Sequence, residues 1–391
     1  MKRTSQRRLK LEQVQYRDLF STGPETPAGK FLRTFWHPVF VSEKLEKGQA
    51  KPVKVMDQAF TLFRGLSGKA FLVQSRCPHR GVQLQSGWVE DDCIRCMYHG
   101  WQFDGDGNCT DQPGETEDYK KNVKIKTYPV EEYLGLVFAW LGDGEPGPLP
   151  RYPKFEQDGV LSVRQYTRNS NYFYTLDNHS DDVHVIFAHR DSVFTKAGLS
   201  LVPIIEAEET EYGMQVVSRF SNGKSRVSQL LMPTILMFKS SPAAGDGAFS
   251  DRCAWRVPID DHSHYTFSVD LRHLKGEAAE KFREAQIEVE QRMAGLESPE
   301  HVAQQILNGD RRLTDPDVLA RPDLVNIQDN VAQMSQPTVD EPYTEFLGRS
   351  DRGVLAFRRI WLREVRAMEE CQPLKKWTAP ESLVLTTGTD G

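Results

Sequence analysis

The sequence predicts an all-β N-terminal domain followed by an α+β domain, and three observations carry that reading. Short strand-like runs broken by Gly-rich turns fill the stretch from Phe35 to about Trp140. Gly142-Asp143-Gly144-Glu145-Pro146-Gly147-Pro148-Leu149-Pro150 then interrupts the chain as the best candidate linker. Beyond it, strand-like runs are followed by segments whose apolar residues recur every three or four positions. At 391 residues the chain is too long for a typical single domain and long enough for two, each with its own core.

In order, Phe60–Arg64 and Lys69–Gln74 flank Gly65-Leu66-Ser67-Gly68, which reads as a hairpin. Asp104-Gly105-Asp106-Gly107 is a second turn, and Leu136–Trp140 is a buried-strand candidate that stops before Gly142. In the second half, Met214–Phe220, Arg226–Met232, Ala254–Ile259 and Tyr265–Leu271 are strand-like, with Pro233 and Pro258 at strand ends or edges. Ala278, Phe282, Ala285, Val289 and Met293 have helical spacing, as do Val354, Phe357, Trp361 and Val365. The expected division is an N-terminal arm over 1–30, a β-domain over 31–145 and a second domain over 146–391.

Composition excludes several classes. Hydrophobic residues at 39% and charged residues at 27% leave enough apolar material for packed cores. A net charge of -6 argues against a general nucleic-acid binder. The longest apolar run, Leu134 to Leu141, is too short to cross a membrane. The basic start MKRTSQRRLKLEQVQY has no apolar segment behind it, so no secretory signal is read and a cytoplasmic chain is expected. In a reducing compartment, Cys clustered near His points to metal chemistry; Cys253 and Cys371 read as packing.

Two mixed pairs carry that chemistry: Cys77-Pro78-His79 and Cys96-Met97-Tyr98-His99. Two thiolates and two imidazoles can hold a tetrahedral zinc, or a [2Fe–2S] cluster with both His on one iron. Zinc more often takes its two Cys from one pair and its two His from the other. Two loops that each offer one Cys and one His suit closure on a diiron cluster. Cys93 cannot replace Cys96 without stretching the loop to His99, and it reads as a free thiol near the site.

The second constellation is NYFYTLDNHSDDVHVIFAHR, residues 171–190. His184 and His189 lie five positions apart, which on a regular helix separates them by roughly 140°. They converge on one ion only if the helix breaks or bulges, and the break is expected near Phe187. Two His and a carboxylate with open positions form the facial triad of a non-haem Fe(II) oxygenase. The plainer alternative is a polar helix with satisfied His residues.

CPHRG at 77–81 and CMYHGW at 96–101 resemble the two ligand loops of a Rieske iron–sulfur domain. Asp181-x-x-His184-x4-His189 resembles the catalytic motif of Rieske non-haem iron oxygenase α subunits. LVNIQDNVAQMSQ and the following EFLGRSDRGVLAFRR resemble the C-terminal region of the phthalate-dioxygenase-like branch. The resemblance covers roughly residues 25–370. It implies an α+β fold, with a Rieske β-domain before a helix-grip domain whose antiparallel sheet wraps a long helix. It assigns Cys77 and Cys96 to one iron of the [2Fe–2S] cluster and His79 and His99 to the other. It makes His184 and His189 ligands of one mononuclear non-haem Fe(II), with O2 as co-substrate. It selects Asp329 as third ligand among Asp315, Asp317, Asp323, Asp329 and Asp340, against the alternative of a helix N-terminal Asp. Asp181 becomes the electron bridge between subunits, Asp177 and Asn178 support the ligands, and His179 is structural.

No GxGxxG nucleotide site is visible, so a separate reductase is required. The resemblance implies NAD(P)H as its electron source, with or without a ferredoxin, and a head-to-tail homotrimer that stands alone or stacks. It also implies a small aromatic substrate, with monohydroxylation, O-demethylation or ring cis-dihydroxylation as outcomes. Neither nucleic acid nor membrane is an expected partner. Arg219, Arg226, Lys239, Arg252 and Arg256 are candidates to pair with a substrate carboxylate. The competing readings are a Rieske electron-transfer protein without catalytic iron and a Cys2His2 zinc protein.

Overall fold

The structure is a computed structural model, and it describes residues 18–192, 201–240, 249–341 and 343–387. The basic N-terminal run lies outside the described residues. Two compact units are distinguished. One runs Thr22–Pro150 with Val257–Asp260; the other comprises the described residues of 18–21, 151–256 and 261–387.

The first unit opens with helix α1 (Pro27–Leu32), capped by Thr26 Oγ1 accepting from Gly29 N at 3.1 Å. Strands β1 (Trp36–Val41), β2 (Ala50–Val55), β3 (Gln58–Arg64), β4 (Ala70–Gln74), β5 (Trp88–Glu90), β6 (Cys93–Arg95), β7 (Gln102–Phe103) and β8 (Cys109–Asp111) follow. After the short helix α2 (Glu117–Lys120) come β9 (Thr127–Tyr128), β10 (Val130–Tyr133) and β11 (Leu136–Trp140). They form three antiparallel sheets, β1-β11-β10, β2-β3-β4-β9 and β5-β6-β7-β8. The β3–β4 hairpin closes through Gly65-Leu66-Ser67-Gly68, where Gly68 takes φ +97°. Asp104 Oδ1 accepts from Asp106 N and Asn108 N, which fixes the second predicted turn. Phe63, Val73, Leu84, Ile94, Phe103 and Ile125 form a core around Cys77 and Cys96.

The second unit is built on one antiparallel sheet. Its strands are β12 (Val160–Arg168), β13 (Ile204–Glu209), β14 (Gly213–Arg219), β15 (Ser225–Leu231), β16 (Ile235–Ser240), β17 (Ser250–Pro258), β18 (His264–Arg272) and β19 (Thr386–Thr387). The order is β12-β18-β17-β16-β15-β14-β13, with β19 added to β15. The helices are α3 (Tyr172–His179), α4 (Val183–Phe187), α5 (Gly276–Ala294), α6 (Pro299–Asn308), α7 (Pro316–Leu319), α8 (Leu324–Met334) and α9 (Arg352–Glu369). The long helix α9 packs on β13, β14 and α3. Its stripe of Val354, Phe357, Trp361 and Val365 is buried, as the spacing predicts. Trp361 meets the Tyr172 and Phe173 rings at centroid distances of 6.1 and 5.4 Å.

Helix α5 corrects one expectation. The helix forms, but Ala278, Ala285 and Val289 of its predicted apolar stripe are exposed. Only Ala279 and Phe282 are buried, against Val160 and Leu274. The spacing rule found the helix; it could not tell that the C-terminal half of the stripe meets no packed layer among the described residues. No helix among the described residues is long and apolar enough to cross a membrane.

Candidate functional site: two sets of metal ligands

The four ligand candidates of the first unit sit on two loops of one design. Residues 77–82 are bracketed by the bridge Arg76↔Gln83, and residues 96–101 by the ladder pair Arg95↔Gln102. In the first loop Cys77 N donates to Val82 O at 2.8 Å and Gly81 N to Cys77 O at 2.9 Å. In the second, Cys96 N donates to Trp101 O at 2.8 Å and Gly100 N to Cys96 O at 3.1 Å. Gly81 and Gly100 take φ of +74° and +75°, a backbone that L side chains rarely adopt. Each loop is thus a tight turn that brings its Cys and His together.

The thiols point inward and the imidazoles outward. Cys77 and Cys96 are each 2% exposed, His99 is partly exposed and His79 is exposed. The His79 and His99 ring centroids are 4.4 Å apart, and His79 stacks on Trp101 at 4.5 Å. Burial, with Cys96 nearby, pushes the Cys77 thiol up to about 11. Burial keeps a metal-free thiol protonated here, and a cluster would take the two sulfurs as thiolates. Two inward sulfurs and two outward imidazoles fit a diiron cluster with one buried and one solvent-facing iron. Cys93 lies in β6 and does not line this pocket.

In the second unit the chain breaks where the two His require it. Helix α3 starts at Asn171, whose side chain accepts from Phe173 N at 2.9 Å and donates to Phe20 O and Asp261 O. It ends at His179, and α4 starts four residues later. Helix α4 stops at Phe187, the position expected for the break, where the side chain is exposed. Gly353 of α9 packs against the corner between the two helices, leaving only 2.1 Å between a built Cβ and Ser180 O.

These breaks bring His184, His189 and Asp329 together. One ligand atom from each lies within 4.8 Å of the others, and among the described residues no other such group of three occurs. The His184 and His189 ring centroids are 5.4 Å apart. His184 Nδ1 meets the Asp181 carbonyl, and His189 Nδ1 meets Gln328 Oε1 at 3.0 Å. Both rings are oriented through Nδ1, so each presents Nε2 to the centre. Helix α8 carries Asp329 in its middle, not at its N-terminus. Val302, Val318, Leu324 and Ile327 pack α6, α7 and α8 together and so fix that helix. Asp329 Oδ1 is 3.3 Å from His189 Nε2 and 3.4 Å from Asn178 Nδ2, and Oδ2 is 3.6 Å from Arg168 Nη2. Burial opposes the Asp329 charge, but Arg168, His189 and His184 outweigh it and hold the carboxyl well below its usual range. Two imidazole nitrogens and one carboxylate oxygen around an open centre fit a mononuclear iron site.

Other expected residues have different fates. The Asp181 carboxylate accepts from Val183 N at 2.8 Å, so it is the backbone of Asp181, not its side chain, that holds His184. Burial raises its pKa. Arg358 takes Asp177 in a buried bidentate pair that ties α3 to α9. Asn178 reaches Asp329. His179 is half-buried, accepts from Arg256 Nε at 3.0 Å, and desolvation drives its pKa well below the ordinary value. Asp317 and Asp323 pair with Arg311 and Arg321, and Asp315 caps a turn at Arg312 N; none of the three is in the group with the two His.

Sequence reasoning missed three supporting residues. Gln328 orients His189. Asp182 beside the motif is fixed by Arg226 Nη1 at 2.6 Å and Ser218 Oγ at 2.5 Å. Arg168 at the end of β12 faces Asp329. Gln328 had a signal, since it is the Gln of the Gln-Asp pair, and Asp182 lies inside the His-rich stretch; Arg168 had none.

Comparison with known proteins bears on both sites. Residues 35–129 match the Rieske [2Fe-2S] domain model. The 5,5'-dehydrodivanillate O-demethylase oxygenase subunit of Sphingobium is 28% identical, over 89% of this chain and 78% of its own length. The 3-chlorobenzoate-3,4-dioxygenase oxygenase subunit of Comamonas testosteroni is 36% identical, over 64% of this chain and 61% of its own length. The terminal oxygenase of carbazole 1,9a-dioxygenase from Nocardioides aromaticivorans IC177 superposes with a TM-score of 0.62 at 22% identity, covering 91% of this chain and 99% of that one. At that identity the likeness is one of fold: an all-β Rieske domain followed by an α+β domain whose antiparallel sheet grips a long helix.

Proposed function

We propose that the chain, whose relatives are oxygenase subunits of Rieske systems, is the terminal component that hydroxylates or O-demethylates a small aromatic, carboxylated substrate. The observation that carries this reading is the convergence of His184, His189 and Asp329 in a chain that also holds a Rieske domain. A bare electron carrier needs the first unit alone and would have no use for such a triad. When bound, the cluster at Cys77, His79, Cys96 and His99 supplies single electrons, and the iron at the triad supplies open positions where O2 is reduced.

The protein's own residues do the rest. Gln328 and the Asp181 carbonyl hold the two imidazoles with Nε2 inward. Arg168 and Asn178 keep Asp329 ionised and aimed at the centre. Asp182, pinned by Arg226 and Ser218, fixes the start of α4 and with it His184. Electrons come from a separate NAD(P)H reductase, directly or through a ferredoxin. The chain works as a head-to-tail trimer in which Asp181 is the bridge between subunits. Ring cis-dihydroxylation is the second reading, favoured by the 36% identity to the 3-chlorobenzoate dioxygenase subunit.

The test is Asp181→Asn in the reconstituted system with methoxybenzoates, following substrate loss and formaldehyde release. Both metal sites should stay loaded while turnover falls to near background. Normal turnover in that variant removes the bridging role. Wild-type protein that lacks iron beyond its cluster removes the oxygenase reading.

A further inference from the structure

Beside the metal triad the second unit buries more positive charge than it pairs. Arg168 and Arg256 are 2% and 5% exposed. Arg168 reaches Asp329 through Nη2 at 3.6 Å, and its Nε and Nη1 have no hydrogen-bond partner. Arg256 donates through Nε to His179, a neutral imidazole, and its Nη1 has no partner. Buried guanidinium N–H groups are normally satisfied, because losing water without a replacement is expensive. Here three such nitrogens on two side chains are left over. Gln333 Nε2, one turn beyond Asp329 on α8, is also buried without a partner.

The two cations share one neighbourhood. Tyr166, two residues before Arg168 on the same face of β12, is opposite Thr266 in the β12–β18 ladder. Burial pushes its phenol up, but Arg256 and Arg168 outweigh that and bring it below its ordinary value. Burial, with Arg168 and Arg252 alongside, draws the Arg256 guanidinium down to about 10. Asp329 is the carboxylate that acts on both His179 and Arg256, and it is already committed to the metal centre.

The other cations once available to a substrate are engaged. Arg252 is bidentate on Asp270 at 2.6 and 3.2 Å, Arg226 is on Asp182, and Arg219 pairs with Glu206 at the surface. Lys239 lies over the Phe249 ring. We infer that Arg168 and Arg256 form the anchor for a carboxylate group of the organic substrate, placed beside the metal triad. The inference deepens the oxygenase reading and rests on it. A carboxylate has the right planar geometry for a guanidinium fork. Its charge also fits: two guanidinium groups and a bound divalent metal would share the Asp329 carboxylate, so a neutral aryl ether or hydrocarbon would leave the excess positive charge in place.

The test measures binding to the holoprotein by calorimetry at fixed ionic strength. The probes are benzoate, 3-chlorobenzoate and 3-methoxybenzoate, each against its own primary amide. Wild type should prefer each carboxylate by roughly tenfold or more. Arg256→Met and Arg168→Met should erase that preference, Arg256→Lys should keep part of it, and the surface control Arg283→Met should match wild type. Cluster absorbance, iron content and circular dichroism check that the variants are intact. If a Met variant does not fold, the wild-type carboxylate-to-amide ratio and Arg256→Lys decide. No carboxylate preference in iron-loaded wild type, or an unchanged preference in intact Arg256→Met, overturns the anchor and leaves the oxygenase reading standing. Wild type without mononuclear iron fails that reading instead.

Discussion

Cys77, His79, Cys96 and His99 come from two short loops of the same hydrogen-bond design, each closed by a glycine in the left-handed region. His184, His189 and Asp329 come instead from a helix that ends between the two His and from a second helix far along the chain. The first set is local: spacing and two glycines suffice to make it. The second exists only if α3, α4, α8 and α9 are packed correctly, and it depends on partners such as Gln328 and Gly353 that do no chemistry. The two sets should therefore fail separately and for different reasons.

The largest separation comes from removing one ligand on each side. Cys96→Ser should abolish the cluster's visible absorbance. Asp329→Ala should keep that absorbance and lose the iron beyond the cluster. Turnover should drop to background in both, and iron and sulfide analysis distinguishes them. Co-loss of both sites in either variant would contradict the comparison.

A smaller effect is expected at a residue that acts through a ligand. Gln328→Ala leaves the triad complete but frees the His189 ring, and should weaken iron retention by roughly ten- to a hundredfold. Iron retained against a graded chelator is the measurement, and the cluster should not respond. Gly353→Val tests packing instead. The added side chain collides with Ser180 O and should cost about 1–3 kcal/mol in the unfolding of the second unit. Differential scanning calorimetry should show that transition moving while cluster bleaching does not.

An effect that leaves both metal sites untouched belongs to the first unit alone. His37 in β1 is buried, with Nε2 at 2.7 Å from Leu32 O, and burial lowers its pKa from 6.5 to about 4. The unfolded chain therefore takes up the proton first as pH falls. The stability involved, roughly 3 kcal/mol, is present above pH 6.5 and lost as pH falls from 6.5 to about 4. In urea unfolding at pH 7 and 4.5, His37→Phe should show a shallower pH dependence than wild type.

The same contrast explains what was legible in the sequence. The β3–β4 hairpin, the last strand of the first unit and the stripe of α9 could be read because turn glycines and apolar spacing are local signals. The break at Phe187 could be read because two His five apart cannot meet on an unbroken helix. The exposure of Val289 on α5, the capture of Asp177 by Arg358 and the place of Arg168 beside Asp329 could not. Each is decided by the presence or absence of a neighbour far along the chain, and no spacing rule reaches that far.

The central claim is that one chain carries two independent iron sites, one for electrons and one for O2. It is tested most directly by EPR of the anaerobic, reduced protein with nitric oxide as a stand-in for O2. The account predicts a reduced-cluster signal together with an iron–nitrosyl signal, the second vanishing in Asp329→Ala while the first persists. A cluster signal with no nitrosyl signal, in fully iron-loaded wild type, would contradict it and leave an electron carrier.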